Sequence, residues 1–308
     1  GHPDLQGVWN FSSNTPMQRP TKYGTQEFLS TEEVEEAVAR QQASAAAADA
    51  RAAKLVVNPE APSAGKDPGG YNDFWFEVAG IGDIVRTSLI IYPEDGRQPD
   101  YVEGANAQFG GLGPDIPGTR PVRYVVGGIE KDGPEDRGLS ERCIVGFNSG
   151  PPFTPSLYNN NMQIFQNKDT AVIMTEMIHE ARIVPFYDSG DDLVSLHDDI
   201  RLYSGDSRGY WEGDSLVVVT KNFNSLTASF GGLAANSGLP GTSYDKILTE
   251  KFTRVGPSAI DYEFTVDDPS TYTDKFTGII PIAEVDGLLY EYACHEGNYA
   301  MLFMLRGA

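Results

Sequence analysis

The sequence predicts an all-β fold, with antiparallel strands in a closed or nearly closed barrel, one N-terminal surface helix and long loops. Three observations carry that expectation. Over residues 259–266, Ile260, Tyr262, Phe264 and Val266 alternate with Asp261, Glu263 and Thr265, the period of two that marks a half-buried antiparallel sheet. Short β-compatible runs recur through the second half of the chain, separated by turns rich in Gly, Asp, Asn and Pro. Only two stretches carry helical character. The 308 residues are read as a single barrel domain, because all-β units commonly reach about 200 to 250 residues and insertions account for the rest.

The elements follow in order. Residues 4–12 predict a first strand around Gly7-Val8-Trp9, a triplet similar to the Gly-x-Trp that opens lipocalin-like barrels, where the Trp packs across the closed end. Ser30 stands three residues before Glu33, the capping-box spacing, and the stretch after it is rich in Ala, Glu, Gln and Arg without Gly or Pro. This predicts a surface helix inserted over 30–56, with loops at 57–72 and 104–119. The glycines of the second loop lack a G-K-[ST] continuation and a following helix, so no phosphate site is read there. Strands are expected at 73–77, 85–92, 120–126, 142–147, 161–166 and 170–183, the last two as a hairpin about Asn167-Lys168-Asp169. A turn over 205–209 should lead into Tyr210-Trp211, and Glu212-Gly213-Asp214 should turn the chain into 215–220. Strands at 248–255 and 259–266 pair around Gly256-Pro257-Ser258, and 276–282 completes the set. Near the C-terminus Tyr290, Tyr292 and Cys294 would share one strand face and Glu291, Ala293 and His295 the other, until Gly297 breaks the strand and Asn298 caps a short helix over 299–305.

Charge narrows the partners. Against 23 Lys and Arg stand 44 Asp and Glu, a formal charge of −21, which repels nucleic acid and anionic membrane surfaces and favours neutral or cationic ligands. No run approaches the roughly 18 apolar residues of a membrane helix, so no membrane insertion is expected. The chain opens at Gly1-His2-Pro3 with no Met and no apolar leader, so whatever came first is expected to have been removed, and the oligomeric state is open. Cys143 and Cys294 can form one disulfide or stay two buried thiols, and the bridge is the favoured reading. It would bring Glu141 and Arg142 beside His295.

Two long stretches carry a resemblance. Gly205-Asp206-Ser207-Arg208-Gly209-Tyr210-Trp211-Glu212-Gly213-Asp214 and Tyr290-Glu291-Tyr292-Ala293-Cys294-His295-Glu296-Gly297-Asn298, with Pro3-Asp4-Leu5-Gln6-Gly7-Val8-Trp9 near the start, are similar to motifs of a large group of exported bacterial proteins. The resemblance implies a periplasmic or extracellular location and hence an oxidising compartment for the two cysteines. It carries no activity with it.

The chemistry therefore rests on the residues. Read as a strand, the run through 180 places Glu176, Ile178, Glu180 and Arg182 on one face and Thr175, Met177, His179 and Ala181 on the other. The chain holds four histidines, and His179 and His295 stand beside Glu180 and Glu296. An imidazole titrating near neutrality can remove a proton while a carboxylic acid returns it, which suits a lyase, isomerase or hydratase acting on a neutral or moderately apolar small molecule in the barrel mouth. His179 and His295 are then candidate bases, Glu176 and Glu180 acids or orienting groups, and Arg182 the electrostatic stabiliser. Arg86, Arg142, Tyr158, Asn160, Tyr292, Glu296 and Asn298 are candidate substrate-binding residues. No cofactor is expected. A metal site is not expected either, because adjacent His179 and Glu180 point to opposite faces and no H-x-H or H-x-x-x-H spacing occurs. The alternatives are a lipocalin-like carrier that binds without turnover, and a metal-dependent or glycoside hydrolase using some pair among the many acids.

Overall fold

The computed structural model describes residues 1–57, 79, 82, 84–105, 134, 139–224 and 245–306. In chain order the elements are β1 (Gly7–Asn10), α1 (Thr31–Val57), β2 (Ile90–Tyr92), β3 (Asn161–Gln166), β4 (Thr170–Thr175), β5 (Ala181–Tyr187), β6 (Asp206–Glu212), β7 (Ser215–Lys221), β8 (Ile247–Gly256), β9 (Ala259–Asp267), β10 (Phe276–Glu284) and α2 (Tyr299–Arg306). Hydrogen bonding runs β1-β3-β4-β5-β6-β7-β8-β9-β10, and β1 pairs back onto β10 through Trp9 with Glu284 and Asn10 with Ala283. Nine strands thus close a barrel. The tenth, β2, shares the free edge of β10 with β1, pairing near Thr277 and Gly278 at the other end of that strand.

Closure satisfies the edge groups that an open sheet would leave bare. Inward side chains alternate as the period of two demands: Leu248 and Phe252 on β8, and Ile260, Tyr262, Phe264 and Val266 on β9, are all fully buried. Trp9 on β1 is buried too, its Nε1 donating to the Leu5 carbonyl at 2.9 Å, with the Arg254 guanidinium 5.5 Å above its ring. Among the described residues the interior holds a continuous buried apolar cluster. The loop over 146–154 is buried residue by residue and inserts Phe153 between Phe11 and Tyr262, each ring centroid 5.2 Å away.

Several expectations are corrected. The barrel is mixed, not purely antiparallel, because β5 and β6 pair in parallel through Phe186 with Gly209 and Tyr187 with Tyr210. The connection over 188–205 is long enough to carry the chain back before it re-enters the sheet. Asn222 pins that connection by donating from Nδ2 to the carbonyls of Leu196, His197 and Ile200. Residues 206–209, expected as turn, are the start of β6. Residues 142–147 form turns and bends instead of a strand, and within 85–92 only the last three residues are strand. The run 170–183 is two strands, β4 and β5, divided by a 3-10 turn at Met177–His179. Residues 288–297 are irregular, so the facial alternation expected there does not apply. The strands expected at 73–77 and 120–126, and nearly all of the two loops at 57–72 and 104–119, lie outside the described residues.

The capping box forms as the spacing predicts. The Ser30 backbone N–H donates to Glu33 Oε2 at 2.8 Å and the Glu33 N–H donates to Ser30 Oγ at 3.3 Å. Hydrogen bonds from the Ser30 backbone and the Gln26 side chain hold the Glu33 carboxyl below the usual range.

Candidate functional site

A small apolar cluster stands apart from the barrel core, built from Cys143, Phe147, Met177 and Ile178, with Tyr158, Tyr292 and Cys294 packed against it. It joins three irregular stretches: the loop 139–160, the turn 176–180 and the C-terminal stretch 292–298. Cys143 and Cys294 are disulfide-bonded, with Cα atoms 5.8 Å apart, which staples the first stretch to the third. Asn298 adds to the staple by donating from Nδ2 to the Glu141 carbonyl at 3.2 Å and to Cys143 Sγ at 3.5 Å.

The backbone here is strained. Cys143, Asn159, Ile178 and His179 all have positive φ, at 56°, 54°, 65° and 45°, and Ile178 is β-branched, a residue type for which that region is a marked outlier. The sharp turn at Ile178 and His179 lets the chain leave β4 and return as β5. Its Met177 carbonyl accepts from Ser149 Oγ at 2.9 Å.

Most of the predicted site residues gather around this cluster. His179 and His295 follow directly on the cluster residues Ile178 and Cys294, and both are exposed, as is Glu296. Glu176 accepts a hydrogen bond from Asn161 Nδ2 at 2.8 Å, and Glu180 accepts one from the Ser204 hydroxyl at 2.8 Å. Tyr158 meets Phe147 edge-on at 5.7 Å, Tyr292 packs on the cluster, and Arg142 is half-buried next to the bridge. Asn160 is fully buried, and its amide braces the 148–160 loop by bonding both backbone groups of Ser156.

Two predicted residues lie elsewhere. Arg182 points into the barrel, nearly inaccessible, and forms a bidentate pair with Glu250 at 2.6 and 2.9 Å. Tyr262 donates to the same carboxylate at 2.8 Å and accepts from the Phe153 backbone N–H at 3.2 Å. Burial pulls the Arg182 guanidinium down, and the charge and hydrogen bonds of Glu250 more than offset it, leaving it above its usual range. Burial, with the Glu250 charge beside it, raises the Tyr262 phenol well above its usual range. This arrangement places a closed ion pair in the core, with Arg182 bound to Glu250. Sequence reasoning overlooked Glu250, although its place between Leu248 and Phe252 on an alternating strand was a legible signal of an inward-facing acid.

Arg86 lines a cavity of about 670 Å³ outside the barrel wall, between α1, the segment 12–29, residues 84–89 and Pro281 of β10. Phe28, Leu29, Ala37, Val85 and Leu89 supply apolar wall, and Ser12, Ser13 and Thr15 supply hydroxyls. Arg86 donates from Nη1 to Glu27 and stacks over the Phe28 ring at 4.7 Å. Nothing in the sequence pattern marks this place, because its wall comes from stretches far apart in the chain.

Among the described residues no group of three or more His, Cys, Asp or Glu is placed to hold a metal ion, and no helix is long and apolar enough to cross a membrane. No protein family, no curated protein and no solved structure matches the chain.

Proposed function

We propose that the protein binds a small, largely apolar molecule in the cavity under α1, using the outer wall of the barrel and not its packed interior. The observation that carries this reading is the cavity itself: about 670 Å³ falls within the range of sites for drug-sized molecules, and its wall is chiefly apolar with a few polar groups to set orientation. That arrangement supports a carrier role, with the lipocalin-like barrel as scaffold. The Cys143–Cys294 bridge supports work in an oxidising compartment, in keeping with export.

Titration with Nile red, a neutral dye that brightens in apolar sites, tests it. One saturable site is expected, and Ala37→Phe, which fills the cavity from α1, should abolish the signal while leaving the thermal transition unchanged. Unsaturable binding, or binding indifferent to Ala37→Phe, overturns the proposal.

A second reading is favoured by the strained turn. Backbone held in sparsely populated conformations clusters at active sites, and here it presents His179 beside Glu176 and Glu180, with His295 across the same cluster. General acid and base chemistry of lyase or isomerase type would use these groups. Screening the chain against small-molecule mixtures by NMR, with His179→Gln and His295→Gln as controls, tests it: turnover that survives both replacements removes the two-histidine mechanism.

A further inference from the structure

We infer that the cavity under α1 takes an amphiphilic anion, an apolar body bearing one carboxylate group. The inference rests on the cavity-binding reading above and adds the charge of the guest.

The whole chain is strongly acidic, with acids outnumbering bases 44 to 23. The cavity wall reverses that balance: Lys22, Arg40 and Arg86 line it, and among the described residues no Asp or Glu does. Two of these cations are ion-paired with acids and the third lies over a ring. Arg86 gives one N–H to Glu27, Arg40 gives one to Glu36 at 3.4 Å, and Lys22 Nζ lies 4.4 Å over the Tyr23 ring. Asp261 pairs across the sheet with the lining residue Pro281 and interacts electrostatically with Arg86, and burial raises its carboxyl above the usual range.

A further cation stands behind Thr87, which also lines the cavity. Arg19 is nearly inaccessible, and among the described residues it is held by the Thr87 hydroxyl at 2.8 Å and the carbonyls of Gly24 and Glu94, with no carboxylate. A buried guanidinium without an acid leaves an uncompensated positive field in the wall.

A neutral apolar guest would strip water from the spare N–H groups of Arg86, Arg40 and Lys22 and return nothing. A cationic guest would meet like charges. A carboxylate satisfies those donors, and a guanidinium fork binds it with two parallel bonds while Phe28, Leu29 and Val85 accept the apolar body.

The test is isothermal titration of the full chain with three ten-carbon probes below their micellar concentrations: decanoate, decanol and decyltrimethylammonium, at pH 7.5. Decanoate should bind at least tenfold tighter than decanol, and the cation weakest. Arg86→Gln should weaken decanoate about tenfold, Lys22→Gln at the rim severalfold, and Ala37→Phe should abolish binding. Equal affinity for decanoate and decanol, or a preference for the cation, overturns the anion inference and leaves cavity binding standing. Tight decanoate binding that survives Ala37→Phe places the anion elsewhere and also overturns it. Failure of all three probes removes the cavity-binding reading itself.

Discussion

Glu250, Arg182 and Tyr262 show how a charged group is kept inside a barrel. Each oxygen of the Glu250 carboxylate meets an Arg182 N–H, and Tyr262 adds a third bond, so the acid's buried lone pairs are answered. Removing one partner leaves the other charge uncompensated. Glu250→Gln should therefore lower unfolding free energy in urea by about 3 to 5 kcal/mol, while Arg182→Met with Glu250→Leu together should lose less than the two single changes summed. The tyrosines predict an alkaline limit. Tyr262 and Tyr272 have phenols raised by burial, so they stay protonated in the fold after the unfolded chain, with phenols near pH 10, has lost those protons. Their contribution to stability is fully present below about pH 10 and falls as pH rises beyond it. Tyr272→Phe should make the decline above pH 10 shallower by up to about 1.4 kcal/mol per pH unit, read from urea midpoints at several pH values.

At the scale of elements, the C-terminal stretch is held by chemistry other than strand pairing. Beyond β10, residues 285–298 are irregular, and the disulfide and the Asn298 amide tie them to the 139–143 turn. The bridge closes a loop with a sequence separation of 151. A double Cys143→Ser, Cys294→Ser variant should lose roughly 4 to 5 kcal/mol in the chain-entropy account, and proteolysis should then cut first within 285–293. If cleavage in that segment is no faster than in the oxidised protein, the bridge is not what holds it. The β9–β10 contact makes a different demand. Gly278 faces Phe264 so closely that a Cβ there would lie 2.5 Å from the ring. Gly278→Ala should cost about 1 to 3 kcal/mol by overpacking, read from thermal and urea transitions.

For the molecule as a whole, net charge and site charge diverge. A formal charge of −21 sets solubility and long-range steering, yet the cavity wall is cationic because three bases line it, with Arg19 buried behind Thr87 and no Asp or Glu among the described lining residues. A guest bound only by the folded chain adds to stability by mass action. At a free concentration of a hundred times Kd, a cavity ligand should raise the unfolding free energy by about 2.7 kcal/mol, with a concentration-dependent rise in Tm that Ala37→Phe removes.

The sequence by itself determined the all-β class, the barrel, most hairpins of its second half and the capped helix, and it favoured the cysteine bridge that the fold then formed. Alternation of side chains, turn chemistry and capping are local, and residues a few positions apart settle them. Tertiary structure alone decided the rest. It split 170–183 at Ile178 and His179 so that the strand could reverse, and it sent Arg182 inward to Glu250, 68 residues along the chain. It made β5 and β6 parallel, and it set Phe153 of the 146–154 loop into the barrel core. The cavity joins stretches from Ser12 to Pro281. Periodicity tells which face of a strand is apolar but not what the other end of the chain brings to meet it, and a site assembled from distant stretches exists only once the barrel has closed.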